Sequence, residues 1–208
     1  MTEEAIYYYN YIWILLKYNI KTKQRMSCNH KTCNKIKQFR SNNNYRGQGG
    51  VAVLLLNNYY NRGNLVALLG KEKGGKYKDM YNLCSGGVDS SDNHCYIKAA
   101  RRELLEEFKI NVDYKLFDTV FRNSKGKIRY LMHYGTPVFI GIVSGVSRSK
   151  INPIISLHNS NNSLPYCLRE LYGVDYFWLN NKNQIEGYPK RISSFANSVM
   201  SKINVNNL

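Results

Sequence analysis

Residues 85–110 read SGGVDSSDNHCYIKAARRELLEEFKI, a glycine pair followed by a run that crowds Glu103, Glu106 and Glu107 together. Ile97, Ala100, Leu104 and Phe108 recur at helical spacing, so residues 94–108 are expected to form a helix with those four on one side. Positions i, i+3 and i+4 share a face, so the three glutamates project together. Close carboxylates repel one another, and the second half of a helix disfavours negative charge. Each effect weakens the helix by up to about 1 kcal/mol. Arg101, Arg102, Lys98 and Lys109 could neutralise such a face in solvent. A hard divalent cation does the same, and Mg²⁺ typically takes one or two carboxylates together with substrate phosphates. Gly86 and Gly87 allow close approach of backbone to a ligand, and Ala99 and Ala100 let the helix lie tight on a sheet.

Outward from this helix the texture is that of a layered α/β domain. VAVLLL (51–56) is a continuous apolar run, as in a strand covered on both faces. LVALLG (65–70) and YNLCSGG (81–87) read as further strands. KLFDTVFRN (115–123), KIRYLMHYGTPVFIGIV (127–143) and VDYFWL (174–179) read as strands too. SRSKINPIISLHNSNNSLPY (147–166) reads as a polar loop broken by prolines, and KRISSFANSVMSKI (190–203) as a closing amphipathic helix. The pattern predicts a mixed sheet between helices.

Residues 1–45 differ from the remainder. After the aromatic run YYYNYIWILL (7–16), residues 17–44 are strongly basic and contain no acid. NNN and an Arg-Gly-x-Gly-Gly turn then mark a boundary, giving a basic N-terminal extension (1–45) and one domain (46–208). Lys and Arg total 30 against 14 Asp and Glu in 208 residues, a net charge of +16. Part of this excess follows the Asn, Lys, Ile and Tyr bias of an AT-rich genome. The rest is an electrostatic footprint for a polyanion, most commonly nucleic acid.

Five irregularly spaced cysteines with no secretory signal read as free thiols of an intracellular protein. The run 7–16 is too short to span a bilayer, and no stable membrane association is expected. Cys28, His30 and Cys33 lack a fourth ligand at finger-like spacing and are not read as a zinc site.

The segment 85–110 resembles the Nudix box, G-x5-E-x7-R-E-U-x-E-E-x-G-U with U aliphatic. Arg102, Glu103, Leu104, Glu106, Glu107 and Ile110 match its second half position for position. The segment departs from it in several places, and the loop carries at least one extra residue, since Val88 stands where the spacing would put the first Gly. His94 stands where the box has its first Glu, Lys109 where it has its last Gly, and Ser85 precedes the glycine pair where Pro is common. That first Glu ties the loop to the box Arg, a role open to Asp92 if the loop is rearranged.

The resemblance implies a Nudix-type α/β/α sandwich with a mixed β-sheet over residues 46–208. It implies Mg²⁺- or Mn²⁺-dependent hydrolysis of a pyrophosphate bond in a nucleoside diphosphate linked to another group. Glu106 and Glu107 are the implied main metal ligands. Glu103 is a further ligand or orients water, Arg102 organises the carboxylates, and the carbonyl of Gly87 touches a metal. Glu170 is the candidate general base, with Asp175 behind it. Lys71, Lys73, Lys76 and Lys78 surround the glycine loop and could hold phosphates or RNA.

The basic charge favours a long polyanionic substrate. Among Nudix activities, removal of the 7-methylguanosine cap from mRNA (decapping) fits this best. Large DNA viruses encode such enzymes, and the AT-biased composition is similar to theirs, which points to the host cytoplasm or the virion. The alternatives are hydrolysis of free nucleotides, dinucleoside polyphosphates or inositol pyrophosphates, or a Nudix-fold RNA-binding protein without catalysis. With 18 tyrosines, no base-stacking residue stands out, and no oligomeric state is implied.

Overall fold

A computed structural model describes residues 30–47, 49–58, 65–144, 146–179 and 191–203. In order, the elements are α1 (Lys31–Asn42), β1 (Gly50–Asn58), β2 (Leu65–Glu72), β3 (Tyr81–Asn82), β4 (Cys84–Gly87), α2 (Tyr96–Glu106), α3 (Tyr114–Phe121), β5 (Tyr130–His133), β6 (Thr136–Val143), α4 (Arg148–Ser160), β7 (Leu171–Trp178) and α5 (Ser194–Met200), with short 3₁₀ turns at Gly75–Tyr77 and Tyr166–Leu168. The strands form one mixed seven-stranded sheet. β1 runs parallel to β6, and every other pairing is antiparallel.

The sheet splits near its centre. β1 and β2 pair at Leu55↔Leu68 through Asn58↔Leu65 and then separate. β3 and β4 fill the gap, β3 on β2 at Gly70↔Asn82 and β4 on β1 at Gly50↔Gly87. The glycine pair therefore ends a short inserted strand.

Alternation along the strands builds two cores. Val51, Val53, Leu55 and Leu68 face one way and pack with residues of α1, α2, α3 and α4. Ala52, Leu54, Leu56, Ala67 and Leu69 face the other way and meet Ala196, Val199 and Met200 of α5. The result is the α/β/α sandwich with a mixed sheet that the sequence predicts. In α2, Ile97, Ala100, Leu104 and Phe108 are all buried, as their spacing requires.

Three stretches differ from the sequence reading. Residues 115–123 are not a strand: α3 runs over Tyr114–Phe121, started by Asp113, whose side chain accepts from the Leu116 N–H at 2.7 Å. Phe117, Val120 and Phe121 make an i, i+3, i+4 face that lies flat on β6, where a Cβ at Gly141 would come within 2.9 Å of Phe121 and Val120. Residues 147–166 are not simply a loop: α4 runs over Arg148–Ser160 with Pro153 inside it. Burial of Ile151, Ile155 and His158 along one stripe outweighs the hydrogen bond that proline removes. The long strand expected at 127–143 is a hairpin, β5 and β6, turning at Tyr134-Gly135.

Part of the basic N-terminal stretch is structured. α1 seats Cys33 and Ile36 in the core shared with α2, and His30 caps it by accepting from the Thr32 N–H at 3.3 Å. The aromatic run 7–16 and Cys28 lie outside the described residues. The Cys33 thiol lies 3.6 Å from the sulfur of Cys95. Cys33, Cys84 and Cys167 are free, but Cys95 is disulfide-bonded, which corrects the reading of all five as free thiols. Among the described residues no helix is long and apolar enough to cross a membrane.

β7 lies at the sheet margin. On the side away from β2, the side chain of Asn152 in α4 accepts from the Val174 N–H at 2.7 Å and donates to its carbonyl at 3.1 Å.

Candidate active site

α2 lies over β4 so closely that Glu103 and Gly86 leave no room between them. A Cβ on Gly86 would fall 2.2 Å from a Glu103 carboxylate oxygen. Gly86 thus seats Glu103, while Gly87, one residue on, has open space beside it.

Arg102 organises this end of the site. Its Nη1 donates to Glu103 at 2.6 Å and to Glu106 at 2.9 Å, and its Nη2 donates to the Gly87 carbonyl at 2.7 Å. Asp92 accepts from Nε at 3.2 Å and from Nη2 at 3.0 Å. The Asp92 side chain is only 4% exposed. It ties the loop to the arginine from a position two residues before His94, and the loop makes the shift through positive φ at Asn93 and His94.

Glu107 points under β4 and accepts from the Ser85 N–H at 2.9 Å. Burial pushes its carboxyl well above the ordinary value, with Glu72 and Glu103 adding to the effect. Burial raises Glu103 to about 7, opposed by Arg102 and helped by Glu106. Glu170 is also raised, by burial and then by Glu106, so it belongs to the same electrostatic neighbourhood.

One further acid joins the cluster. Glu72, at the end of β2, accepts from the Asn82 side chain at 3.2 Å. Burial raises it to about 7, with Glu170 contributing. Leu68, Gly70 and Glu72 alternate onto the face that α2 covers, and this period-two signal was present in the sequence. Five of the chain's 14 acids thus gather at one place in a molecule of net charge +16.

Lys109 supplies an internal cation. It adopts φ +59, the left-handed conformation that favours glycine, at the position where the box has Gly. Its ammonium donates to the carbonyls of Glu106 and of Leu168, the latter at 2.8 Å. The segment carrying Glu170 is thereby fastened to the end of α2. Burial lowers Lys109 to about 8 against the pull of Glu107. His158 lies nearby, and burial followed by the Lys109 charge holds its imidazole down to about 4.

The other expected residues separate into two groups. Lys71 and Lys73 flank the exposed ring of Tyr172, their ammonium nitrogens 5.3 and 5.8 Å from its centroid, and the Lys73 N–H donates to the Glu170 carbonyl at 2.8 Å. Lys76 lies over Tyr77 at 5.3 Å, and Lys78 is exposed, so neither joins that pair. Asp175 accepts from Arg148 of α4 at 2.5 Å. Among the described residues, no three His, Cys, Asp or Glu side chains stand in a ready-made metal-ligating group. Arg102 occupies the space between Glu103 and Glu106.

No family model and no curated protein matches this chain. Solved structures that are similar to it include a MutT/nudix family protein from Enterococcus faecalis, 12% identical with a TM-score of 0.47, covering 85% of this chain and 73% of that one. A C. elegans Ap4A hydrolase is 12% identical with a TM-score of 0.34, covering 62% of this chain and 78% of that one. A T. brucei MERS1 protein in complex with RNA is 15% identical with a TM-score of 0.37, covering 62% and 50%. What those proteins bind or cleave is a property of theirs, and the activity of this chain rests on its own residues.

Proposed function

We propose that this protein is a divalent-metal-dependent hydrolase of the Nudix type, cleaving the pyrophosphate bond of a nucleoside-diphosphate-linked substrate, and that the substrate is capped RNA. One observation carries the reading. Glu103 lies against Gly86, and Glu72, Glu106, Glu107 and Glu170 act electrostatically on one another and on it, with burial raising Glu72 and Glu103 to about 7. Arg102 and Lys109 offset only part of this negative charge, and its all-oxygen donor set matches Mg²⁺ or Mn²⁺.

Glu103, Glu106 and Glu107, with the Gly87 carbonyl, are the residues that would hold the ion. Once bound, it supplies charge neutralisation of phosphate oxygens and acidification of water. Arg102 keeps Glu103 and Glu106 aligned through charge-assisted hydrogen bonds. Glu170, raised by burial and by Glu106, is suited to accept a proton from an attacking water at its carboxylate. Lys71 and Lys73 would meet substrate phosphates beside Tyr172. The excess of basic residues favours a long polyanion over a free nucleotide, which is the argument for capped RNA.

A second reading is a non-catalytic RNA-binding protein, favoured by the way Arg102 fills the space between Glu103 and Glu106. The deciding experiment is release of 7-methylguanosine diphosphate from cap-labelled RNA with Mg²⁺ or Mn²⁺. Glu107→Gln serves as control, with free nucleotides, dinucleoside polyphosphates and inositol pyrophosphates as competitors. Turnover of a small competitor only would discard the RNA substrate and keep the enzyme. RNA affinity with no turnover of any of them would establish the second reading.

A further inference from the structure

Two exposed aromatic side chains, Phe39 and Tyr45, pack between α1 and the tip of the β5–β6 hairpin, and a third, Tyr134, projects from that tip beside Lys202; the three are termed the ribbon. Phe39 is 40% exposed, Tyr45 37% and Tyr134 80%. The rings of Phe39 and Tyr45 stack at 6.5 Å with an interplanar angle of 16°. Tyr45 in turn lies on the hairpin tip, where a Cβ at Gly135 would come within 2.5 Å of its ring. Tyr134 is the neighbouring tip residue.

The arrangement is held rather than incidental. Arg40 is buried, with its guanidinium 5.8 Å from the Tyr45 ring centroid. It donates to the carbonyls of Gly135, Arg46 and Gly47, so it joins α1, the following turn and the hairpin tip. Tyr134 has φ +45, a left-handed conformation that costs a bulky residue free energy, yet the position carries a tyrosine that is almost wholly in solvent.

The surroundings are cationic. Lys202 lies 5.4 Å from the Tyr134 ring centroid, and Arg46 is exposed beside Tyr45. The ribbon is assembled from three stretches of chain, and the sequence has no acidic residue between Glu4 and Glu72, between Asp118 and Glu170, or after Glu186. None of the chain's acids is therefore contributed by the segments that build the ribbon. The ribbon also has a direction. From Tyr45 the chain enters β1, where the Gly49 carbonyl accepts from the Val88 N–H at 3.1 Å and Gly50 pairs with Gly87. One end of the ribbon thus adjoins the glycine strand of the acidic site.

We propose that Phe39, Tyr45 and Tyr134, with Arg46 and Lys202, form a binding surface for single-stranded RNA that leads toward the Gly86–Gly87 strand. Aromatic faces stack on unpaired bases and the cations track phosphates. The surface stands on its own geometry: a chain that binds here and hydrolyses nothing would keep this inference and lose the preceding one.

The test is fluorescence anisotropy of the full chain with a labelled oligouridylate of about ten nucleotides, beside an RNA duplex of similar length. The single strand is expected to bind more tightly than the duplex, because stacking needs unpaired bases. Tyr134→Ala and Phe39→Ala are each expected to weaken it by about tenfold. Tyr114→Ala on α3, whose ring lies under Arg101 and is no part of the ribbon, should bind as wild type. Thermal melting of each variant establishes that it is folded. Unchanged affinity in folded Tyr134→Ala and Phe39→Ala, or equal affinity for duplex, would overturn the proposal. So would self-association that Tyr134→Ala abolishes, which would assign the ribbon to a second copy of this chain.

Discussion

Asp92 meets the edge of the Arg102 guanidinium through two nitrogens, Nε at 3.2 Å and Nη2 at 3.0 Å, and does so from a position where its carboxylate is almost fully buried. Removing one partner of such a pair leaves a charge with less to face. Asp92→Ala is expected to destabilise the protein by about 3 kcal/mol in urea unfolding. His94→Glu should not restore the loss, because residue 94 is exposed while Asp92 occupies the space beside Arg102. A wild-type midpoint for Asp92→Ala would show that the loop is fixed by something else.

Glu107 illustrates a conflict between stability and function. Its carboxyl is 3% exposed and strongly disfavours ionisation, while a glutamine there keeps an acceptor for the Ser85 N–H. In EDTA at pH 8, Glu107→Gln should therefore melt higher than wild type. With Mg²⁺ its hydrolysis rate should fall by about 100-fold or more. A variant that is both less stable without metal and fully active with it would remove Glu107 from the site.

The pH dependence of the metal-free protein has a definite sign. Glu72 and Glu103 are raised to about 7 in the fold, mainly by burial, so the folded state holds their protons more tightly than the unfolded chain. Their stabilising contribution is complete below the ordinary carboxylate value and is lost as pH rises through about 7. Melting temperature in EDTA should fall between pH 5 and pH 8 on this account. Saturating Mg²⁺ should raise it more at pH 8 than at pH 5. An Mg²⁺ shift that is the same at both pH values would argue against these carboxyls as the place where the ion binds.

Lys109 permits a ranking of two substitutions. Its left-handed backbone costs roughly 1–2 kcal/mol, which glycine would recover. Its charged hydrogen bonds to the Glu106 and Leu168 carbonyls are worth about 1.5–3 kcal/mol each, and any substitution forfeits them. Thermal stability should decrease from wild type to Lys109→Gly to Lys109→Met, since methionine keeps the strain and forfeits both hydrogen bonds. Glycine at or above wild type would mean that the ammonium fastens nothing.

The parts that were legible in the sequence are those whose pattern is local. The apolar spacing of Ile97, Ala100, Leu104 and Phe108 and the continuous run at 51–56 gave the central helix and strand directly. Phe117, Val120 and Phe121 also carried a helical spacing behind a capping Asp113, but it was masked by a β-like composition. Pro153 conceals α4, because a proline signals a break locally while the buried Ile151–Ile155–His158 stripe that outweighs it gains its value only from tertiary packing. The box glutamates and Arg102 were legible as a motif; Arg102 bonds Glu103 and Glu106, and Glu107 bonds the Ser85 N–H instead. Tyr172, the Lys109 tether and the aromatic ribbon were not, because each depends on segments far apart in the chain. No spacing rule links Tyr45 to Gly135 or Lys109 to Leu168.

Asn152 gives the sheet a further property. By exchanging two hydrogen bonds with Val174, its single amide imitates one residue of an eighth strand at the margin of β7. A neighbouring molecule that sought to extend the sheet would find that rung taken. A helix side chain thus serves as a stopper against edge-to-edge polymerisation. Its worth would be felt not in the melting temperature of a dilute sample but in how concentrated a solution can become before it clouds.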